Sequence, residues 1–216
     1  MDSARLGIRG TIYGVALNDR DQIGVLKDQM QAPPYNAPPQ SVVLYIKPRT
    51  CLGLDGAPTR MPQGLAQVQA AATLGLLIGR DLSRAAPDQV RSAISAACLA
   101  LDLSEPCRDF YRPAIRQQCR DGFLPIGSFA RLPETLGDIV TEIDGHEVHR
   151  WSQARLVRPL ESLAAEISSF MTLKAGDLLL VGLASDPPAA RIGQTVRVTS
   201  NQLPVLSSSF IAEAAS

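Results

Sequence analysis

Residues 66–78 read AQVQAAATLGLLI, and the class of the fold turns on them. Their alanine content allows a helix. Their length, the Gly75 inside the run and the Gly79 that closes it fit a buried strand better, and a strand is the expectation. On the N-terminal side, Gly53 to Pro62 is Gly/Pro turn chemistry, and Ser41 to Lys47 (SVVLYIK) is a β-branched and aromatic run that stops at Pro48, as a strand would. Gly10 to Leu17 reads as a further short strand. A polar turn at Asn18-Asp19-Arg20-Asp21 then leads into an irregular segment, where the pairs Pro33-Pro34 and Pro38-Pro39 bar a helix or a central strand.

Towards the C-terminus, Ser83 to Ala97 reads as a helix, with Pro87 near its first turn and Val90, Ile94 and Ala97 on one stripe. Cys98 to Leu103 is strand-like and carries Asp102 near its end. Asp144-Gly145 joins two runs within Ile139 to Val148 in the pattern of a two-residue hairpin. Leu160, Leu163, Ala164, Ile167 and Phe170 mark an amphipathic helix that Lys174-Ala175-Gly176-Asp177 stops. Leu178 to Val181 is a buried strand, and Thr195 to Thr199 with Leu203 to Leu206 form a closing hairpin. Many short strands with two main helices make an α+β, strand-dominated domain. It is expected to span 1–216 as a single domain, with 1–9 a disordered or edge segment.

The chain has 216 residues, 45% hydrophobic and 19% charged, enough to bury a sizeable core. Lys plus Arg and Asp plus Glu number 21 each, so no long-range field recruits nucleic acid or anionic lipid. The longest apolar run, Ala70 to Gly79, falls short of the roughly 18 to 20 residues that cross a bilayer, and the start lacks an apolar signal core. A cytoplasmic protein is expected. Cys51, Cys98, Cys107 and Cys119 show no metal-type spacing and are too sparse for a disulfide framework, which leaves free thiols.

Phosphate-loop, dinucleotide and serine-hydrolase motifs are absent. His146 and His149 fall on opposite faces of one strand, and Glu142, Asp144 and Glu147 suit a solvated hairpin edge. Asp102 stands out: a carboxylate at the end of an apolar strand must be hydrogen-bonded, paired or liganded. A magnesium-type ion wants about six oxygens, usually with two or more carboxylates, and the neighbouring run 70–79 supplies none. Asp102 alone reads as structural.

Seven segments taken together resemble the fumarylacetoacetate hydrolase superfamily: GTIYGVALNDRDQ (10–22), PPQSVVLYIKPRT (38–50), AATLGLLIGR (71–80), LALDLS (99–104), CRDGFLPIG (119–127), IDGHEVHRW (143–151) and FMTLKAGDLLLVG (170–182). Within it, FYRPAIRQQCRDGFLPIG (110–127) is similar to the amino-terminal repeat of fused isomerase/decarboxylases of 4-hydroxyphenylacetate breakdown. The resemblance implies a mixed β-roll around a deep pocket, with Mg2+ or Mn2+ held by two glutamates of an E-x-E strand and one aspartate. The ion grips a 2-oxo carboxylate and stabilises an enolate as carbon dioxide leaves or a double bond moves.

Set against that pattern, Ala71 and Thr73 stand at the two glutamate positions, and Asp102 is the one surviving ligand position. Gln118 replaces the lysine expected before the Gly-Phe motif. Gln22 and Val25 replace the lid histidine and glutamate, and Gly182-Leu183-Ala184 replaces a G-T-P. No catalytic residue of the family remains intact. The resemblance therefore implies a metal-free subunit that pairs with a homologous catalytic chain, as a heterodimer, or with itself when alone. The partner would hold the Mg2+ or Mn2+ and a small 2-oxo di- or tricarboxylate. Lys47 and Arg112 are the candidate substrate contacts. Two further readings stay open: a decarboxylase/isomerase with a reduced site built from Asp102, Lys47, Glu105 or Asp109, and a dicarboxylate-binding module.

Overall fold

A computed structural model describes residues 7–106 and 114–214. Arg112, Asp109 and Cys107 lie outside the described residues. In chain order the elements are β1 (Ile12–Ala16), α1 (Arg20–Gln31), β2 (Val43–Lys47), β3 (Leu52–Leu54), β4 (Thr59–Met61), β5 (Gln67–Ile78), α2 (Pro87–Ala93), β6 (Ile94–Ser104) and α3 (Ile115–Gln118). They continue with β7 (Leu124–Ile126), β8 (Ile139–Ile143), β9 (His146–Trp151), α4 (Leu160–Phe170), β10 (Leu178–Leu180), β11 (Ala189–Arg191), β12 (Thr195–Ser200) and β13 (Leu203–Ala212). The fold is α+β and strand-dominated.

Of residues 66–78, all but the first form a strand, β5. β5 pairs antiparallel with β6 over ten positions, from Gln69 opposite Ser104 to Ile78 opposite Ile94. These two long strands are the spine of a mixed sheet ordered β2-β1-β10-β5-β6-β7-β3, with β11 added on β5. A second sheet runs β4-β13-β12-β8-β9.

Chain connectivity forces the first sheet to curl. β2 and β3 stand at opposite ends of the strand order, and six spacings of a flat sheet would separate them by about 29 Å. Only Pro48 to Cys51 connect them, which spans at most roughly 17 Å. The sheet therefore rolls until its ends meet. Alternation along the strands then divides two interiors. Cys98, Ala100, Ile12, Leu178, Leu180, Leu124 and Ile126 fill the inside of the roll. Leu74, Leu76, Leu99, Leu101, Val196, Phe210, Trp151 and Leu163 lie on the other side, between the roll, the second sheet and the helices.

Several elements differ from expectation. The stretch read as an irregular loop after Asn18 is helix α1 up to Gln31, and only the proline-rich part after it is irregular. The helix expected over 83–97 is shorter, Pro87–Ala93. Ile94 already belongs to β6, where pairing with β5 outweighs the helical stripe. The longest helices are thus α1 and α4. Phe170, placed on the buried stripe of α4, is exposed at the helix end. Ile8, within the segment expected to be disordered or at an edge, is fully buried, and the Arg9 and Gly10 amides both donate to the Gly176 carbonyl.

Candidate functional site

One end of the roll's interior is polar. Asp102 on β6 and Ala71 on β5 are direct cross-strand partners, and Thr73 follows Ala71 on the same face. Closure of the roll carries β2 to the same place. The Lys47 ammonium meets Asp102 Oδ1 at 2.5 Å and donates to the carbonyls of Leu103 (3.0 Å) and Phe123 (2.9 Å). The Tyr45 hydroxyl donates to Asp102 Oδ2 at 2.5 Å. Tyr45 can lie there because its β1 partner is Gly14: a Cβ on that residue would stand 2.0 Å from the phenol ring. The Thr73 hydroxyl donates to the Gly182 carbonyl at 2.6 Å.

The surroundings are strongly desolvated. Burial, together with the Asp102 charge, holds the Tyr45 phenol well above its ordinary range, so it stays a proton donor. Burial pushes the Cys98 thiol up to about 12, and does the same to Cys51 against the opposing pull of the Lys47 charge. Cys51, Cys98 and Cys119 are free thiols.

The donor set does not fit a hard divalent ion. Such an ion needs about six oxygens with two or more carboxylates. Here Ala71 presents a methyl group, the Thr73 hydroxyl proton is committed to Gly182, and both oxygens of Asp102 are engaged. Among the described residues no three His, Cys, Asp or Glu side chains cluster as a metal site.

Beside this end, Asp19 is fully buried at the N-terminus of α1. Its Oδ1 accepts from the Gln22 amide (2.9 Å) and Arg155 (3.1 Å), and its Oδ2 accepts from Trp151 Nε1 at 2.8 Å. Arg155 also reaches Asp21, Ser185 and Asp186, and His149 Nε2 lies 3.2 Å from Asp186. Arg155 therefore ties α1 to the loop after β10. Gly182, the acceptor of Thr73, lies in that loop.

The predicted positions separate into two groups. Asp102, Ala71, Thr73 and Lys47 come together. Gln22 does not join them: its Oε1 accepts from the Leu17 amide at 3.1 Å. Val25 is 75% exposed on the outer side of α1. Gln118 ends α3 at the surface of the roll, half-buried, and Glu105 is ion-paired with Arg120. Lys47, expected as a substrate contact, has all three ammonium donors used inside the chain. His146 is exposed while His149 faces Asp186, so the two share no ligand. Sequence reasoning missed Tyr45, whose signal was its place two residues before Lys47 on one strand face. It also missed the Asp19 knot, whose signal was an Asp followed three residues later by Gln at a helix start.

Comparison with known proteins follows the same outline. The family model described as fumarylacetoacetate (FAA) hydrolase C-terminal matches residues 11–211. A 4-hydroxyphenylacetate degradation bifunctional isomerase/decarboxylase of Salmonella dublin is 39% identical over 95% of this chain and 48% of its own length. The chain thus spans about half the length of the curated relatives of this kind. A structure of a putative fumarylacetoacetate hydrolase family protein from Yersinia pestis CO92 superposes with a TM-score of 0.77 at 25% identity, covering 93% of both chains. Fumarylpyruvate hydrolase from Pseudomonas aeruginosa, solved with Mn2+ and pyruvate, shares the fold at 18% identity, with a TM-score of 0.78 over 94% of this chain and 90% of its own.

Proposed function

The chain belongs to the fumarylacetoacetate hydrolase family, and from that premise we propose that it is the metal-free, non-catalytic subunit of a two-component isomerase/decarboxylase of 4-hydroxyphenylacetate (homoprotocatechuate) breakdown. It pairs in the cytoplasm with a homologous chain that holds Mg2+ or Mn2+ and takes the small 2-oxo diacid or triacid. One observation carries the reading: the only carboxylate at the three ligand positions, Asp102, is bound to Lys47 and Tyr45, with the Ala71 methyl opposite it. The 39% identity to a bifunctional relative about twice as long supports the pairing, since a second domain of comparable size is needed to match it.

The reduced-site alternative requires Asp102 and Lys47 to be released from each other, and each would then be an uncompensated charge in a buried setting. Co-expression tests the proposal. This chain, produced with a family member that carries both glutamates, is expected to co-purify with it. The pair should turn over 5-carboxymethyl-2-oxo-hex-3-ene-1,7-dioate in the presence of Mg2+, and turnover should vanish when either glutamate of the catalytic chain is changed to Gln. Turnover by the purified chain alone would overturn it.

A further inference from the structure

We infer that Lys47 is a built-in counter-cation: its ammonium, with the Tyr45 phenol, occupies the Asp102 carboxylate and clasps the two ends of the rolled sheet in place of a recruited divalent ion. The inference deepens the metal-free reading above and does not depend on the pairing.

Position argues for a clasp. β2 and β3 end the strand order and are not paired with each other, so backbone hydrogen bonds leave a seam between them. Lys47 is the last residue of β2, and its three bonds go to Asp102 and Leu103 on β6 and to Phe123 just before β7. One side chain thereby joins the first strand of the order to the fifth and the sixth across that seam. Its side chain is 0% exposed and that of Asp102 3%, so water neither screens nor competes with the pair.

Saturation argues against any other occupant. An ammonium has three donors and all three are satisfied; each carboxylate oxygen of Asp102 has one short partner. A dication entering here would have to expel a buried ammonium or sit beside it. Ala71 and Thr73 offer no negative charge to offset the repulsion. Gly14 completes the arrangement, because only a residue without Cβ leaves the phenol its seat on Asp102.

Thermal melts and calorimetry on the isolated chain test this. In wild type, millimolar Mg2+ or Mn2+ should release no binding heat and leave the melting midpoint where EDTA leaves it. Lys47→Met strands a buried carboxylate and should lower the midpoint by roughly 10 °C. Lys47→Met combined with Asp102→Leu removes both charges and should regain more than half of that loss. If Lys47→Met does not fold, recovery of a folded, cooperative double variant is the supporting result. Losses that simply add in the double variant, including its failure to fold while Asp102→Leu alone folds, would overturn the clasp and leave the metal-free reading standing. A midpoint raised by Mg2+ or Mn2+ in wild type, and no longer raised after Asp102→Asn, would overturn both.

Discussion

Gly14 and Tyr45 show how much rests on a single missing methyl group. A Cβ at residue 14 would overlap the phenol ring, so Gly14→Ala must drive Tyr45 off Asp102. Overpacking of this kind costs about 1–3 kcal/mol, to be read from urea denaturation. Adding Tyr45→Leu to Gly14→Ala should recover part of the loss; no recovery would show that the ring is not what the methyl meets. The phenol also leaves a mark in alkali. Its folded-state pKa is raised above the ordinary value of 10.0 by burial and by Asp102, so the folded state keeps a proton that the unfolded chain gives up. The Tyr45 contribution is whole below pH 10 and drains away as pH climbs through that value and beyond. Wild type should accordingly lose stability more steeply than Tyr45→Phe between pH 10 and 11, and parallel curves for the two would refute the linkage. At this scale the lack of a second carboxylate beside Asp102 on β5 was legible, because Ala71 and Thr73 stand in the sequence itself. The engagement of Lys47 was not, since it depends on a seam that exists only after the sheet has rolled.

Among the elements, α1 is held mainly by its N-terminus. Met30 is its one buried side chain, so little apolar burial fastens it to the body of the protein. Asp19 does that work by capping the Gln22 amide while accepting from Trp151 and Arg155. Asp19→Ala removes the cap, worth about 1 kcal/mol, and leaves a buried indole N–H without a partner at a further cost of about 1–3 kcal/mol. Hydrogen exchange over residues 20–31 should accelerate more than exchange over β5, and uniform acceleration would mean that the knot serves the whole fold rather than this helix. The same weak burial explains why α1 escaped the sequence: its polar composition lacks the apolar stripe that made α4 readable at Leu160, Leu163, Ala164 and Ile167. The 83–97 stretch failed for the opposite reason. Its apolar spacing suits a helix through Ala97, yet Ile94 and its successors gain a long strand partner in β5 that no local signal announces.

For the molecule as a whole, β5 and β6 decide how it unfolds. Their alternating side chains supply both interiors at once: Leu99 and Leu101 face the second sheet and the helices, while Cys98 and Ala100 face the inside of the roll. Neither interior can lose its packing while these paired strands stay intact and correctly in register, because slipping one residue would exchange the two sets of faces. The hairpins and the long strands were legible from turn chemistry and apolar runs. The order of strands was not, since β10 pairs with both β1 and β5 across more than a hundred residues of chain. Coupling through the spine makes a definite prediction about cooperativity. Leu99→Ala empties a fully buried site on one side, and Leu124→Ala does so inside the roll. Each should cost about 2–5 kcal/mol. Each should move one common transition, so that far-ultraviolet dichroism and Trp151 fluorescence, the latter sensing only the outer interior, report the same midpoint in both variants. If Leu124→Ala lowered the dichroism midpoint while the Trp151 midpoint stayed at its wild-type value, the roll would melt as a separate unit and the spine would not couple the two interiors.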